Sequence, residues 1–140
     1  REHGSGNIGA ANVYRLAGPR LGLFTLLGDV AKGFFPTLLA FSIMDSPLGI
    51  SLVAFSAFLG HLFPVYLDFK GGKGVATSLG ISFAIAPLAS ILGFGVFILL
   101  VARYRLASLG SLAAIAVVFL LFLLTPSYRP FLPLGVVLAP

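Results

Sequence analysis

Four apolar windows, Leu21–Met44, Ser46–Leu67, Val75–Ala102 and Leu106–Leu124, decide what this chain can fold into. A bilayer core takes roughly 20 residues of helix to cross, and each window reaches or nearly reaches that length. A fifth begins at Phe131 and runs to Pro140. In lipid the backbone must pair its own N–H and C=O groups, and unbroken Leu/Ala/Phe/Val runs do so as helices rather than barrel strands. Hydrophobic residues make up 59% of the chain and charged ones 9%, against about 25% charged in soluble domains. The predicted fold is all-α, a polytopic transmembrane helix bundle forming one membrane domain over residues 1–140.

The few charges fall mostly between the windows. The positive-inside rule puts Arg15, Arg20, Lys70, Lys73, Arg103 and Arg105 in the cytoplasm and Asp45 outside. A single helix over Val75–Ala102 would carry Arg103 and Arg105 to the wrong side. Its 28 residues make one helix of ~42 Å or two of ~20 Å. Proline breaks or kinks a helix interior, and Gly93 and Gly95 weaken the second half. Short or re-entrant helices hinged near Pro87 are therefore expected.

Composition also excludes several classes. There is no cysteine, hence no disulfide and no thiolate metal site. Two histidines and four scattered acids argue against a metal centre, and no cofactor is expected. The net charge of +5 reads as topology, because isolated bases between apolar spans make no nucleic-acid face. The polar, glycine-rich start is not a signal peptide. Opening on Arg1 and stopping within an apolar run, the chain reads as a fragment of a larger bundle.

Chemistry concentrates in a few places. In Lys70-Gly71-Gly72-Lys73-Gly74, glycines allow backbone to approach an anion, two lysines supply charge, and a helix starting near Val75 adds its positive end. Gly74 stands where a Walker A loop needs Ser or Thr. A plain positive-inside anchor is the competing reading. The segment Gly4–Arg15 fits G-x-G-x-x-G at Gly4, Gly6 and Gly9, but a membrane span follows it and not a βαβ unit. Its Ser5, Asn7, Asn12 and Arg15 can converge on a polar ligand from a loop with at most a helical turn after Asn12.

Asp29 and Lys32 lie one turn apart within the first span, where charge is costly unless paired. A mutually neutralising structural pair is the simpler reading. His61, just before the glycine loop, is either a general base or a packing residue. Arg105, Ser108 and Ser111 form a last polar cluster, readable also as an interfacial arginine beside small packing residues.

Together, Gly4–Asn12 with Arg15, Gly28–Gly33, Gly60–Thr77 and the run Arg105–Ser111 resemble the integral-membrane acyl-phosphate:glycerol-3-phosphate acyltransferase family (PlsY) of bacteria. The resemblance implies transfer of a fatty acyl group from acyl phosphate to the 1-hydroxyl of glycerol 3-phosphate, giving lysophosphatidate and phosphate for phospholipid synthesis. It implies Ser5 and Arg15 in catalysis, with His61 a further candidate. Lys70, Gly71, Gly72, Lys73, Gly74 and Thr77 would bind phosphate, with Asn7, Asn12, Ser108 and Ser111 lining the substrate site. The implied partners are both substrates, the bilayer of the bacterial inner membrane and an upstream acyl-phosphate-forming enzyme, with motif loops facing the cytoplasm.

Proton removal is open among Ser5, His61 and the substrate's own phosphate. The sequence departs from the family at Ala11, where threonine is usual. It has no counterpart of the first span or of a C-terminal Asn/His/Glu motif, so weak or absent activity is expected of this stretch alone. The alternative function is a phosphate or organic-anion transporter, whose internal repeat is not found.

Overall fold

The computed structural model of the chain describes residues 9–138, the side chains of Ala11, Ala107 and Ser108 apart. The described residues form α-helices joined by short turns, with no strand among them. In order they are α1 (Ala10–Ala17), α2 (Pro19–Ile43), α3 (Pro47–Leu62), α4 (Val75–Ile85), α5 (Pro87–Tyr104), α6 (Ala107–Leu124) and α7 (Leu132–Leu138). Three stretches are long and apolar enough to cross a membrane: Pro19–Ile43, Pro47–Leu67 and Pro87–Tyr104. Leu109–Leu124 and Pro126–Leu138 pass that test only as a pair, bent by 116°.

The window Val75–Ala102 is broken where proline predicts. Pro87 opens α5, and Ala86 before it leaves the helical region at φ −140° and ψ 71°. Proline cannot donate to the preceding turn and disfavours helical backbone at the residue before it. The halves are unequal, however. The 11 residues of α4 rise only about 17 Å, too short to cross, whereas the 18 of α5 rise about 27 Å.

The N-terminal segment differs from the expected loop. α1 makes two full turns and ends at Gly18, whose N–H donates to the Tyr14 carbonyl at 3.1 Å and whose φ is +87°. That conformation suits glycine, and it turns the chain straight into α2. A Cβ on Gly22 would come within 2.8 Å of the Tyr14 Cβ, so this glycine lets α1 lie back along α2.

The centre of the bundle is the pairing of α2 with α4. Gly33 of α2 faces the Thr77 carbonyl, and Gly80 of α4 faces the Val30 carbonyl, each at a distance that leaves no room for a side chain. Small residues let membrane helices approach to backbone contact, where dispersion replaces the hydrophobic drive that lipid cannot supply. The Thr77 hydroxyl is fully buried there and donates to the Asp29 carbonyl at 3.1 Å. Ile81, Ile85, Ala86 and Ala89 complete the buried core with Ala40, Ile50 and Ala54. Large apolar side chains such as Phe24, Phe35, Leu48 and Leu99 point outward. The short apolar helix α4 is thus fixed deep in the bundle, and its N-terminus is held in place.

Candidate active site

The path from α3 to α4 is a hook. After Phe63 the chain makes a 3-10 turn over Val65–Leu67, and then Asp68 and Phe69 both take left-handed backbone, at φ 54° and 59°. Such conformations cost a non-glycine residue of the order of 1 kcal/mol or more each and persist only where the surroundings enforce them. They turn the chain back onto the end of α3. The N–H of Gly71 donates to the Leu62 carbonyl at 2.9 Å and that of Gly72 to the His61 carbonyl at 3.2 Å. These two amides therefore satisfy carbonyls at the C-terminus of α3 and do not face an anion. The glycines allow close approach in another sense. A Cβ on Gly71 would strike the His61 and Leu62 carbonyls, and one on Gly72 would strike the His61 ring.

Beyond the hook, Gly74 is the N-cap of α4 at φ +81°, and a Cβ there would meet Leu62 and Phe58. The first intrahelical bond runs from Ser78 N–H to the Gly74 carbonyl at 2.8 Å. By helix geometry the N–H groups of Val75, Ala76 and Thr77 have no acceptor within α4, which gives that end its partial positive charge.

Lys73, Gly74, Val75 and Ala76 line a cavity of about 710 Å³, well within the range that holds small-molecule ligands. Asn12 and Arg15 from α1, Asp29 from α2 and His61 from α3 also border it. Asn12 and Arg15 are three residues apart and so share a face of α1. The wall supplied by α5, α6 and the C-terminal elements is apolar, with Phe94, Phe97, Ile115, Val118, Phe122 and Leu134. One space thus joins cationic groups and a helix N-terminus to a long hydrophobic lining. It can hold an anionic head and an apolar chain together.

Asp29 is buried, and its carboxylate meets the Lys32 ammonium at 3.0 Å and His61 Nδ1 at 3.6 Å. The pairing of Asp29 with Lys32 is as expected. The approach of His61 is not, because the two residues lie on different helices 32 positions apart. Asp29, whose simpler reading from sequence is a structural charge, borders the cavity. The only signal in the sequence was the cost of a carboxylate so far inside an apolar span.

Of the residues singled out in the sequence, the cavity brings together Asn12, Arg15, His61, Lys73, Gly74 and Ser111. Thr77 lies behind this wall, its hydroxyl engaged with the Asp29 carbonyl. Lys70 sits on the exposed outer side of the hook, and Gly71 and Gly72 form its docked inner side. Ser5, Asn7 and the Ser108 side chain lie outside the described residues. No cluster of three or more metal-ligating side chains occurs among the described residues.

The family model described as glycerol-3-phosphate acyltransferase matches residues 1–139. A glycerol-3-phosphate acyltransferase of Syntrophotalea carbinolica is 55% identical over 112 residues, covering 79% of this chain and 57% of its relative. One from Thioalkalivibrio sulfidiphilus is 41% identical over 139 residues, covering 99% and 68%. The chain thus spans a little over half the length of the first of these curated relatives. Among solved structures, PlsY (YgiH), an integral membrane glycerol 3-phosphate acyltransferase, superposes with a TM-score of 0.89 at 36% identity. That match covers 97% of this chain and 68% of PlsY in its glycerol 3-phosphate form, and a lysophosphatidic acid form matches equally well. This is an integral membrane protein with multiple spans. Matched along almost its whole length, and sharing its helix arrangement with a solved member, the chain belongs to the glycerol-3-phosphate acyltransferase family.

Proposed function

We propose that the protein transfers a fatty acyl group from acyl phosphate to the 1-hydroxyl of glycerol 3-phosphate, releasing 1-acyl-glycerol 3-phosphate and inorganic phosphate. The observation that carries this reading is the single cavity in which Arg15, Lys73 and the α4 N-terminus open onto the apolar wall of α5, α6 and α7. Both substrates are anions, and the donor also has a long alkyl chain, so the site needs both chemistries in one space.

Arg15 and Lys73 would offset the repulsion between the two phosphates and hold the acceptor hydroxyl against the donor carbonyl. Such alignment removes much of the entropic barrier of a two-substrate step. The hydroxyl oxygen forms the new ester bond to the carbonyl carbon, the acyl carbon–phosphate oxygen bond breaks, and the leaving phosphate carries away the electron pair. Guanidinium, ammonium and helix N–H groups stabilise charge building on that phosphate. Acyl phosphate already carries a good leaving group, so no covalent acyl-enzyme is required, and the hydroxyl proton leaves to Ser5, His61 or a substrate phosphate. Asn12 and Ser111 are candidates for substrate contacts, and the family resemblance adds Asn7 and Ser108 to these and Ser5 to the catalytic residues. Lys70, Gly71, Gly72 and Thr77 would act by shaping and supporting the loop.

The bias of Arg15, Lys70, Lys73, Arg103 and Arg105 supports a cytoplasmic orientation of the motif loops in a bacterial inner membrane. Acyl phosphate is reactive, so an enzyme that forms it would act immediately upstream. The test is phosphate release from palmitoyl phosphate, dependent on glycerol 3-phosphate, in detergent or bilayers, with palmitoyl-CoA as competing donor. Turnover with the phosphate donor is expected. Activity only with the CoA donor would overturn the reading.

A further inference from the structure

We infer that Asp29 is a positioning residue for this reaction, acting through the His61 ring on Gly72 and so on the placement of Lys73. The inference rests on the acyltransferase reading for its kinetic consequence and on geometry for its route. His61 is buried at the last turn of α3, between two cavities, the 710 Å³ one and a neighbour of about 350 Å³. Its Nδ1 edge faces the Asp29 carboxylate at 3.6 Å, slightly longer than a hydrogen bond. Its opposite edge, with Nε2, Cε1 and Cδ2, fills the space where a Cβ on Gly72 would stand. The His61 carbonyl meanwhile accepts the Gly72 N–H at 3.2 Å. Gly72 is thus held by both the main chain and the ring of one residue.

The next residue along is Lys73, which reaches the cavity, and the one after that caps α4. A ring free to swing would release the face against which Gly72 is packed, and the ammonium would lose its placement. Asp29 is itself fixed from two further sides, since Lys32 shares its carboxylate and Thr77 bonds its carbonyl. The chain of support therefore runs from the α2–α4 core to the loop. It accounts for a buried carboxylate whose visible ion-pair partner, Lys32, has a side chain that is 54% exposed and can be solvated without it.

Asp29→Ala is expected to raise KM for glycerol 3-phosphate about 10-fold with a smaller change in kcat, because acceptor binding is what a displaced Lys73 loses. Asp29→Asn, which keeps an oxygen towards Nδ1, is expected to restore most of that loss. His61→Ala should match Asp29→Ala, and the double variant should be no worse than His61→Ala alone. A merely structural Asp29 would lower the amount of active enzyme, and hence kcat, with KM unchanged. Should Asp29→Ala not fold, Asp29→Ser, too short to reach the ring, takes its place.

Position is read independently of activity. The sequence contains no cysteine, so Lys73→Cys gives a single reporter for a methanethiosulfonate reagent. Its labelling rate should change several-fold with Asp29→Ala, while an Asp45→Cys reporter on the far connection stays constant. Multiplying effects in the double variant, or unchanged KM and labelling at residue 73, would overturn the inference. Absence of acyl transfer by the wild type would instead remove the acyltransferase reading, and the labelling arm would still decide whether Asp29 sets the loop.

Discussion

The Val30 carbonyl of α2 occupies the place that a Cβ on Gly80 of α4 would need, with the Phe34 nitrogen 3.0 Å from the same point. Backbone on both sides leaves nothing that can swing away. Gly80→Ala is therefore expected to destabilise the bundle by about 1–3 kcal/mol, the usual cost of overpacking. Thermal unfolding in detergent measures it. Gly95→Ala in α5, where a Cβ meets nothing within 4 Å, is the control. It should be neutral or stabilising by up to ~1 kcal/mol, as expected for removing a helix glycine.

The two lysines of the loop should separate. Lys73 borders the cavity and Lys70 lies on the outer side of the hook. Lys73→Ala and Arg15→Ala are each expected to lower kcat/KM by about 100-fold or more, the scale for losing a group that stabilises transition-state charge. Lys70→Ala should cost much less. Equal losses at both lysines in the phosphate-release assay would contradict this division.

Adjacent glycines should fail differently. A methyl on Gly71 meets two carbonyls of α3, whereas one on Gly72 meets the edge of a side chain. Gly71→Ala is expected to reduce both stability and turnover, because the hook must lift away from the helix. Gly72→Ala is expected to reduce turnover with a smaller loss of stability, since the ring can move. Paired melting curves and rates distinguish the two.

The apolar wall should set the length of acyl chain accepted. Filling it with Ile115→Trp removes space for methylene groups, each worth about 0.8 kcal/mol when buried. The variant should favour lauroyl over palmitoyl phosphate relative to wild type by about 10-fold or more. An unchanged ratio of kcat/KM values would mean that the chain lies elsewhere.

Much of this architecture was readable because lipid enforces simple rules. Apolar length gave α2 and α3 as spans, and Pro87, with no N–H to donate, gave the break between α4 and α5, whereas the window Leu106–Leu124 qualifies only together with the bent segment after it. The unequal halves were not readable, since the length of α4 depends on where Gly33 and Gly80 let it meet α2. α1 is longer than the helical turn expected there, because Ala10-Ala11-Asn12 follows a glycine-rich run that reads as loop, and close packing at Gly22 lets it lie against α2. At the site, residue types pointed to a loop rich in glycine and lysine, of which Lys73 and Gly74 border the cavity. They could not say which way its amides point, because that follows from the left-handed turn at Asp68 and Phe69. Nor could a spacing of 32 residues announce that Asp29 and His61 meet.

The docking of Gly71 and Gly72 onto α3 has an electrostatic consequence for any anion that arrives. A helix C-terminus carries roughly half a negative charge on its exposed carbonyls, and here it would lie beside the α4 N-terminus of opposite sign. The amides of the hook cover the His61 and Leu62 carbonyls, muting the repulsive pole and leaving the attractive one open. A phosphate in this cavity meets the attractive pole of α4 with the opposing pole of α3 muted, an effect of hook backbone that lies outside the cavity lining.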